Sequence, residues 1–446
     1  MSKVRAAAVL LALAALLAPL APAAAYGPNP VDFSMWSQFG LWATEAPENT
    51  MCVSASAVTM VNYMSGNHTA SAYSHATYVV PWYNQAKGTG TSTMHTRYYY
   101  PSFHEVGLDP RAWAWLMWQH TGPGYAYHDY YFTDSGSPSQ YTANYYMADQ
   151  LYRLQSANQP VGALTDNGHH AVAVVGFRST DWPAQVSGFY VVDPYASQAR
   201  KNYYSGWIGD APGSYLDITT WNTYYFTYYY DEGLQAAYPN GYYWKNQYVV
   251  VLRSKNDSPQ PTPTNDAMPP IYGYTSAPSV AIAATSDAVS DQAYSSIENA
   301  TLIGISSNGL SNDPSLAVDL RGAQIGRQVH VDSLDPAVPA YELVEVKSGG
   351  AVAAVAMIVD RPDGYHFGAL SPVESGWSMP DGSGATTRLR QDGIDVKSMK
   401  LVWGASDESS SPFGPIWQAT DASGVNHFLS PADGVTTAVH THHGNH

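Results

Sequence analysis

The 446-residue sequence predicts an α+β fold in which a helical N-terminal part precedes an antiparallel sheet, with a separate β-rich domain behind it. Three observations lead there. Helix signals fill residues 52–64, 108–122 and 139–160, and strand-like runs follow them. The stretch "SKNDSPQPTPTNDAMPP" at 254–270 is rich in proline, which removes backbone donors and favours an extended linker. Aromatic usage changes across that stretch: 30 of the 35 tyrosines and ten of the 13 tryptophans precede residue 271.

The elements follow in order. Residues 1–25, "MSKVRAAAVLLALAALLAPLAPAAA", join a basic start (Lys3, Arg5) to an Ala/Leu core and small residues before a cut expected after Ala25. That is the pattern of a secretory signal peptide, so the mature protein is expected to be secreted, with no membrane association after signal cleavage. In residues 26–253, "CVSASAVTMVNYM" places Val53, Ala57, Val61 and Met64 on one apolar stripe, and Gly66 is a natural stop. "LDPRAWAWLMWQHTG" offers Asp109 as N-cap and Pro110 in the first turn. "SQYTANYYMADQLYRLQSANQP" is a third helix, ended by Pro160. The strands "VGAL", "HAVAVVGF", "GFYVVDP" and "NQYVVVLRS" come next. Residues 271–446 read as β-rich, with "AVAAVAMIVDRPDGYHFGAL" and "PIWQATDASGVNHFLSP" each strand, turn, strand. They end in "HTHHGNH", where metal binding by His440, His442, His443 and His446 competes with a frayed, solvated terminus.

Charge narrows the functions. Lys+Arg is 20 against 36 Asp+Glu, a formal charge of −16, which becomes −18 without Lys3 and Arg5. Nucleic acid is excluded as a partner, because phosphate binding needs clustered basic residues.

One residue stands out. Cys52 is the only cysteine, in a chain marked for export, where cysteines normally pair. A buried cysteine acting as a small hydrophobe is the plain reading. Its position argues for chemistry. Cys52 opens its helix, with Asn49 or Thr50 available as cap, and the amides and positive dipole end there favour a thiolate and can bind an oxyanion. A base is available in "NGHHAVAVVGF", where His169 and His170 precede a strong strand and point to opposite faces. If 171–178 and 188–193 form an antiparallel hairpin centred near Pro183, the strand-start histidine and strand-end Asp193 share one sheet edge. A carboxylate there orients the imidazole and stabilises its protonated form. No G-x-S-x-G, H-E-x-x-H, phosphate loop or EF-hand spacing competes.

With those residues in order, the sequence resembles the papain-like cysteine peptidases, in their bacterial double-glycine, bacteriocin-processing-like branch. The branch's helix pattern C-x-x-x-S-x-x-M-x-x-x-Y is approximated by "CVSASAVTMVNY", its H-A-V-x-V-V-G by "HAVAVVG", and its V-x-D-P by "YVVDP". The resemblance covers most of 26–253. It implies a papain-like fold, selects His170 over His169, and assigns Cys52, His170 and Asp193 as a catalytic triad working through a thioester. It also implies a glutamine shortly before the cysteine to complete the oxyanion hole. "TEAPENTM" holds none, and Gln38 is the nearest; Glu45 or Glu48 in that place would oppose the oxyanion charge.

The expectation is therefore an exported cysteine peptidase acting on a peptide or protein substrate, needing no cofactor and no metal. The alternative is a catalytically impaired module that binds an extracellular protein or a cell-wall glycan through stretches such as "GYAYHDYYF" and "YYFTYYYDEG". A third keeps the thiol chemistry but directs it at a peptidoglycan amide or an isopeptide bond.

Overall fold

The structure is a computed structural model. It describes residues 24–26, 51–64, 79–88, 99–100, 105–106, 108–121, 127–133, 139–153, 159–179, 182, 185–194, 213–227, 247–253, 272–274, 292–316, 318–373, 379, 381–406, 409, 411–430 and 434–439. Gln38, Glu45, Glu48, Asn49, Thr50, Gly66, the 254–270 stretch and the His-rich tail lie outside the described residues, as does the signal-like segment before Ala24.

The first half holds β1 (Ala24–Tyr26), α1 (Cys52–Met64), α2 (Val80–Gly88), β2 (Tyr99–Tyr100), β3 (Glu105–Val106), α3 (Pro110–Thr121) and β4 (Tyr127–Thr133). It continues with α4 (Ser139–Arg153), β5 (Val161–Thr165), β6 (His170–Ser179), β7 (Gly188–Val192), β8 (Ser214–Asp217) and β9 (Gln247–Arg253). The second half holds β10 (Tyr272–Tyr274), β11 (Ala293–Tyr294), α5 (Ile297–Ser307), β12 (Gln324–Ser333), β13 (Tyr341–Ser348) and β14 (Ala351–Arg361). It ends with β15 (Gly364–Pro372), α6 (Ser383–Gln391), β16 (Val396–Trp403), β17 (Ile416–Asp421), β18 (Asn426–Ser430) and β19 (Gly434–Thr436).

The expected α+β papain-like fold, with a helical N-terminal part beside an antiparallel sheet and a separate β-rich domain, is corrected by the strand pairing. Among the described residues 17 strands join in one sheet. Among the described residues strand exceeds helix, 41% to 32%. The sheet is mixed, because β10 runs parallel to β4 and β12 parallel to β16 while the other pairs are antiparallel. It crosses the Pro-rich stretch: β8 pairs with β15 through Leu216↔Ala369 and Tyr215↔Leu370, and Ser214 Oγ donates to Ser371 Oγ at 2.9 Å. The physical reason is the strand edge. Each half alone would end in an unpaired row of amides and carbonyls, and β8 and β15 satisfy one another's.

Side chains alternate along the strands and divide the core between two faces. Ala171, Ala173 and Val175 of β6 pack on one face with α1, α2 and α3, in a cluster that continues into α5 and β13–β15. Val172 and Val174 pack on the other, with α4, the Trp221–Tyr225 π-turn, Tyr341 and Trp403. Strand β6 is buried along its whole length, which is why it reads as a nearly continuous apolar run.

The helices settle by local chemistry. Asp109 caps α3 by accepting from the Ala112 amide at 2.7 Å. Helix α4 is described over Ser139–Arg153, and residues 154–158 before Pro160 lie outside the described residues. Helix α1 is buried beyond the expected stripe: Ser54, Ser56 and Thr59 are buried with its apolar residues. Ser54 returns its hydroxyl to the Met51 carbonyl, while Ser56 spends its own on the sheet. Cleavage after Ala25 would divide β1, whose Ala24, Ala25 and Tyr26 lie opposite Ser179, Arg178 and Phe177 of β6. No helix among the described residues is long and apolar enough to cross a membrane.

Candidate active site

His170 is fixed by the turn before it. Strands β5 and β6 pair with Thr165 opposite His170, which leaves residues 166–169 to reverse the chain. Asp166, Asn167 and Gly168 all take positive φ (54°, 52° and 85°), a conformation that is costly for the first two. The turn is held by the Asn167 amide donating to Thr227 Oγ1 at 2.6 Å and the His169 amide donating to the Asp166 carbonyl at 2.9 Å. Backbone strain thus sits directly against the candidate catalytic histidine, as it often does at functional sites.

Asp193 arrives on the neighbouring strand. β6 and β7 form the expected hairpin, with Arg178↔Gly188 and Phe177↔Phe189, a bulge between Val174 and Gly176, and then Val174↔Val191 and Ala173↔Val192. Asp193 follows β7 directly, at the edge where β6 begins. Its Oδ1 accepts from His170 Nε2 at 2.7 Å, and the two side chains retain 10% and 1% exposure.

Cys52 comes from the helical layer. It is the first residue of α1 and 7% exposed. Four residues on, Ser56 Oγ donates to the Ala171 carbonyl at 3.0 Å, stitching α1 to the start of β6. Cys52 stands close enough to His170 to add to the interactions that raise the imidazole's pKa. With Nε2 committed to Asp193, Nδ1 is the ring nitrogen through which a proton can be exchanged with a thiol. Burial alone would lower the His170 pKa. The charge and hydrogen bond of Asp193, helped by Cys52, outweigh it and raise it to about 10, so His170 is an imidazolium at neutral pH.

Of the sequence-derived trio, His170 and Asp193 meet on adjoining strand ends, and Cys52 approaches from the helical layer. His169 is not part of it. Gln38 lies outside the described residues, so the Cys52 amide in the first turn of α1 is the oxyanion donor that can be named.

No family model, curated protein or solved structure matches this chain. The papain-like resemblance therefore rests on three short motifs.

Two functional candidates escaped the sequence. Tyr225 donates its hydroxyl to Asp193 Oδ2 at 3.1 Å, and Ser411 Oγ lies 2.8 Å from that hydroxyl. Tyr225 is one of 35 tyrosines and Ser411 one of a run of serines, so neither spacing nor type marks them. The described tyrosines of the aromatic stretches, Tyr127, Tyr130, Tyr224 and Tyr225, are buried apart from the half-buried Tyr131. Among the described residues no group of three or more histidine, cysteine or acidic side chains is arranged to hold a metal ion.

Proposed function

We propose that this chain is an exported cysteine hydrolase that cleaves peptide bonds. One observation carries the reading: buried His170 is held by the Asp193 carboxylate at 2.7 Å, and the chain's single thiol, at the start of a helix, stands close enough to help raise that imidazole's pKa. That is the constellation thiol acyl transfer needs. The signal-like residues 1–25 support action outside the cytoplasm.

The steps follow from the protonation state. With His170 carrying the proton, the Cys52 sulfur reacts in its thiolate form, as thiol nucleophiles do, and attacks the scissile carbonyl carbon. The tetrahedral oxyanion accepts from the Cys52 amide. Collapse breaks the C–N bond as His170 Nδ1 gives its proton to the departing amine, leaving a thioester. Water then attacks the thioester carbon, its proton passing to Nδ1, and the sulfur leaves as thiolate. Asp193 stays ionised throughout and keeps the ring aligned.

The test is turnover of a peptide library by the purified chain. Cys52→Ala and His170→Ala are each expected to abolish it while a thermal melt stays cooperative. Hydrolysis that persists in Cys52→Ala would overturn the assignment.

A further inference from the structure

Asp193 has two carboxylate oxygens, and His170 engages one. A carboxylate with one fixed oxygen can still swing about its Cβ–Cγ bond and carry the imidazole with it. The second oxygen, Oδ2, accepts from Tyr225. Tyr225 is 1% exposed, and burial together with the Asp193 charge raises its pKa well above the ordinary value, so its hydroxyl keeps the proton it donates. A phenol has one proton to give. The 2.8 Å contact with Ser411 is therefore a bond that Ser411 donates to the tyrosine oxygen. Two hydroxyls point in series at the carboxylate, each polarising the next.

Both ends of this series are anchored. Tyr225 ends the π-turn Trp221–Tyr225, a rare geometry that recurs at functional sites. Trp221 Nε1 donates to Asn144 Oδ1 at 2.9 Å, and Gln140 Nε2 donates to the carbonyls of Asn222 and Phe226 at 3.1 and 2.6 Å. Ser411 lies between Ser409, whose hydroxyl donates to the Gly414 carbonyl at 2.6 Å, and Pro412, whose carbonyl accepts from Tyr341 at 2.5 Å.

We propose that Tyr225 and Ser411 are positioning residues that hold Asp193, and through it His170, so that the second half of the chain supplies part of the active site. This rests on the cysteine-hydrolase reading above. It gives residues 271–446 a role in catalysis through a side chain more than 200 positions from the aspartate's own strand.

Three full-length variants test it: Tyr225→Phe, Ser411→Ala and Ser411→Thr. Melting temperature, kcat and KM are measured alongside the proton NMR signal of the His170 Nε2–H, identified by its disappearance in His170→Ala. Tyr225→Phe keeps the ring and is expected to lower kcat about tenfold at unchanged KM, and to shift or broaden the Nε2–H signal. Ser411→Ala moves both in the same direction by less, and Ser411→Thr restores them because it returns the hydroxyl. If kcat and the imidazole signal both stay at wild-type values in Tyr225→Phe and Ser411→Ala, the positioning role is overturned while the hydrolase reading stands. If Tyr225→Phe does not fold, the Ser411 pair decides alone: loss with rescue supports the role, and no change overturns it. Wild-type protein whose Cys52 alkylation by iodoacetamide is indifferent to His170→Ala overturns the hydrolase reading itself, and the positioning role with it.

Discussion

Ser56 Oγ donates a 3.0 Å hydrogen bond to the carbonyl of Ala171, the residue that follows His170. Ser56 lies one helical turn beyond Cys52, so this bond sets how far the sulfur stands from the imidazole. Cys52 and His170 are far apart in sequence and on separate elements. Apolar packing of α1 on β6 brings the layers together without fixing their register; a directional bond does.

Ser56→Ala is expected to cost about 1 kcal/mol of stability, the usual net value of such a bond. Activity should suffer more, up to about 100-fold in kcat, because sub-ångström misplacement of reacting groups is felt strongly. Denaturant melts and kcat measured on the same preparation check it. Equal proportional loss of both would mean the bond merely stabilises.

The imidazolium gives a pH prediction. The folded pKa of His170 is raised to about 10 from 6.5. The ion pair with Asp193 therefore contributes its full stability below pH 6.5 and loses it as pH rises through about 10. Activity should follow the same alkaline limb, since a neutral His170 has no proton for the leaving amine. In Asp193→Asn the charge that outweighs burial is gone, so the limb should move to lower pH and stability at pH 7 should fall. Profiles of kcat/KM and urea midpoints between pH 6 and pH 11 on both proteins check the direction.

The turn ahead of His170 yields a backbone prediction. Asn167 has φ 52° and ψ 31°, a region asparagine tolerates and β-branched residues avoid. Asn167→Val should destabilise by about 1–2 kcal/mol and depress kcat by shifting His170. Asn167→Gly suits the same backbone and should keep activity close to wild type. A valine variant as active as the glycine one would show that the turn is not what fixes the histidine.

How far the sequence reveals this arrangement differs between site and fold. The local pieces are legible because each carries its own signal. Cys52 starts a helix whose bounds follow the apolar pattern, Asp109 is a cap by type and position, and the His170–Asp193 edge follows from hairpin symmetry about Pro183. The fold class is not legible. Proline at 254–270 and the fall in tyrosine suggested two separate domains, yet which strand edges pair is decided by long-range contact, and β8 with β15 leaves no periodic trace. Tyr225 and Ser411 are hidden for the same reason, being ordinary residues whose importance comes only from where the joined sheet puts them.

That joining can be tested at a second crossing point. Arg178 of β6 donates through Nη1 to Asp313 Oδ2 at 2.5 Å and to the Tyr190 hydroxyl at 3.0 Å, and Tyr190 also donates to Asp313. The Arg178 and Asp313 side chains are 6% and 1% exposed, and Asp313 Oδ1 accepts from the Ser315 amide at 2.9 Å. A buried pair of this kind adds little net stability over an apolar filling, but removing one partner strands the other charge away from water. Asp313→Ala should therefore cost about 3–5 kcal/mol, although it lies in the second half and Arg178 in the first. If the halves fold as one unit, a single cooperative transition moves to lower denaturant and Cys52 alkylation follows it. A chain ending at Arg253 would lose Asp313, Ser411 and the partner of β8 together, and it is expected not to fold. A truncated chain that melts cooperatively, or an Asp313→Ala protein with two separate transitions, would show that the sheet joins two bodies able to stand apart.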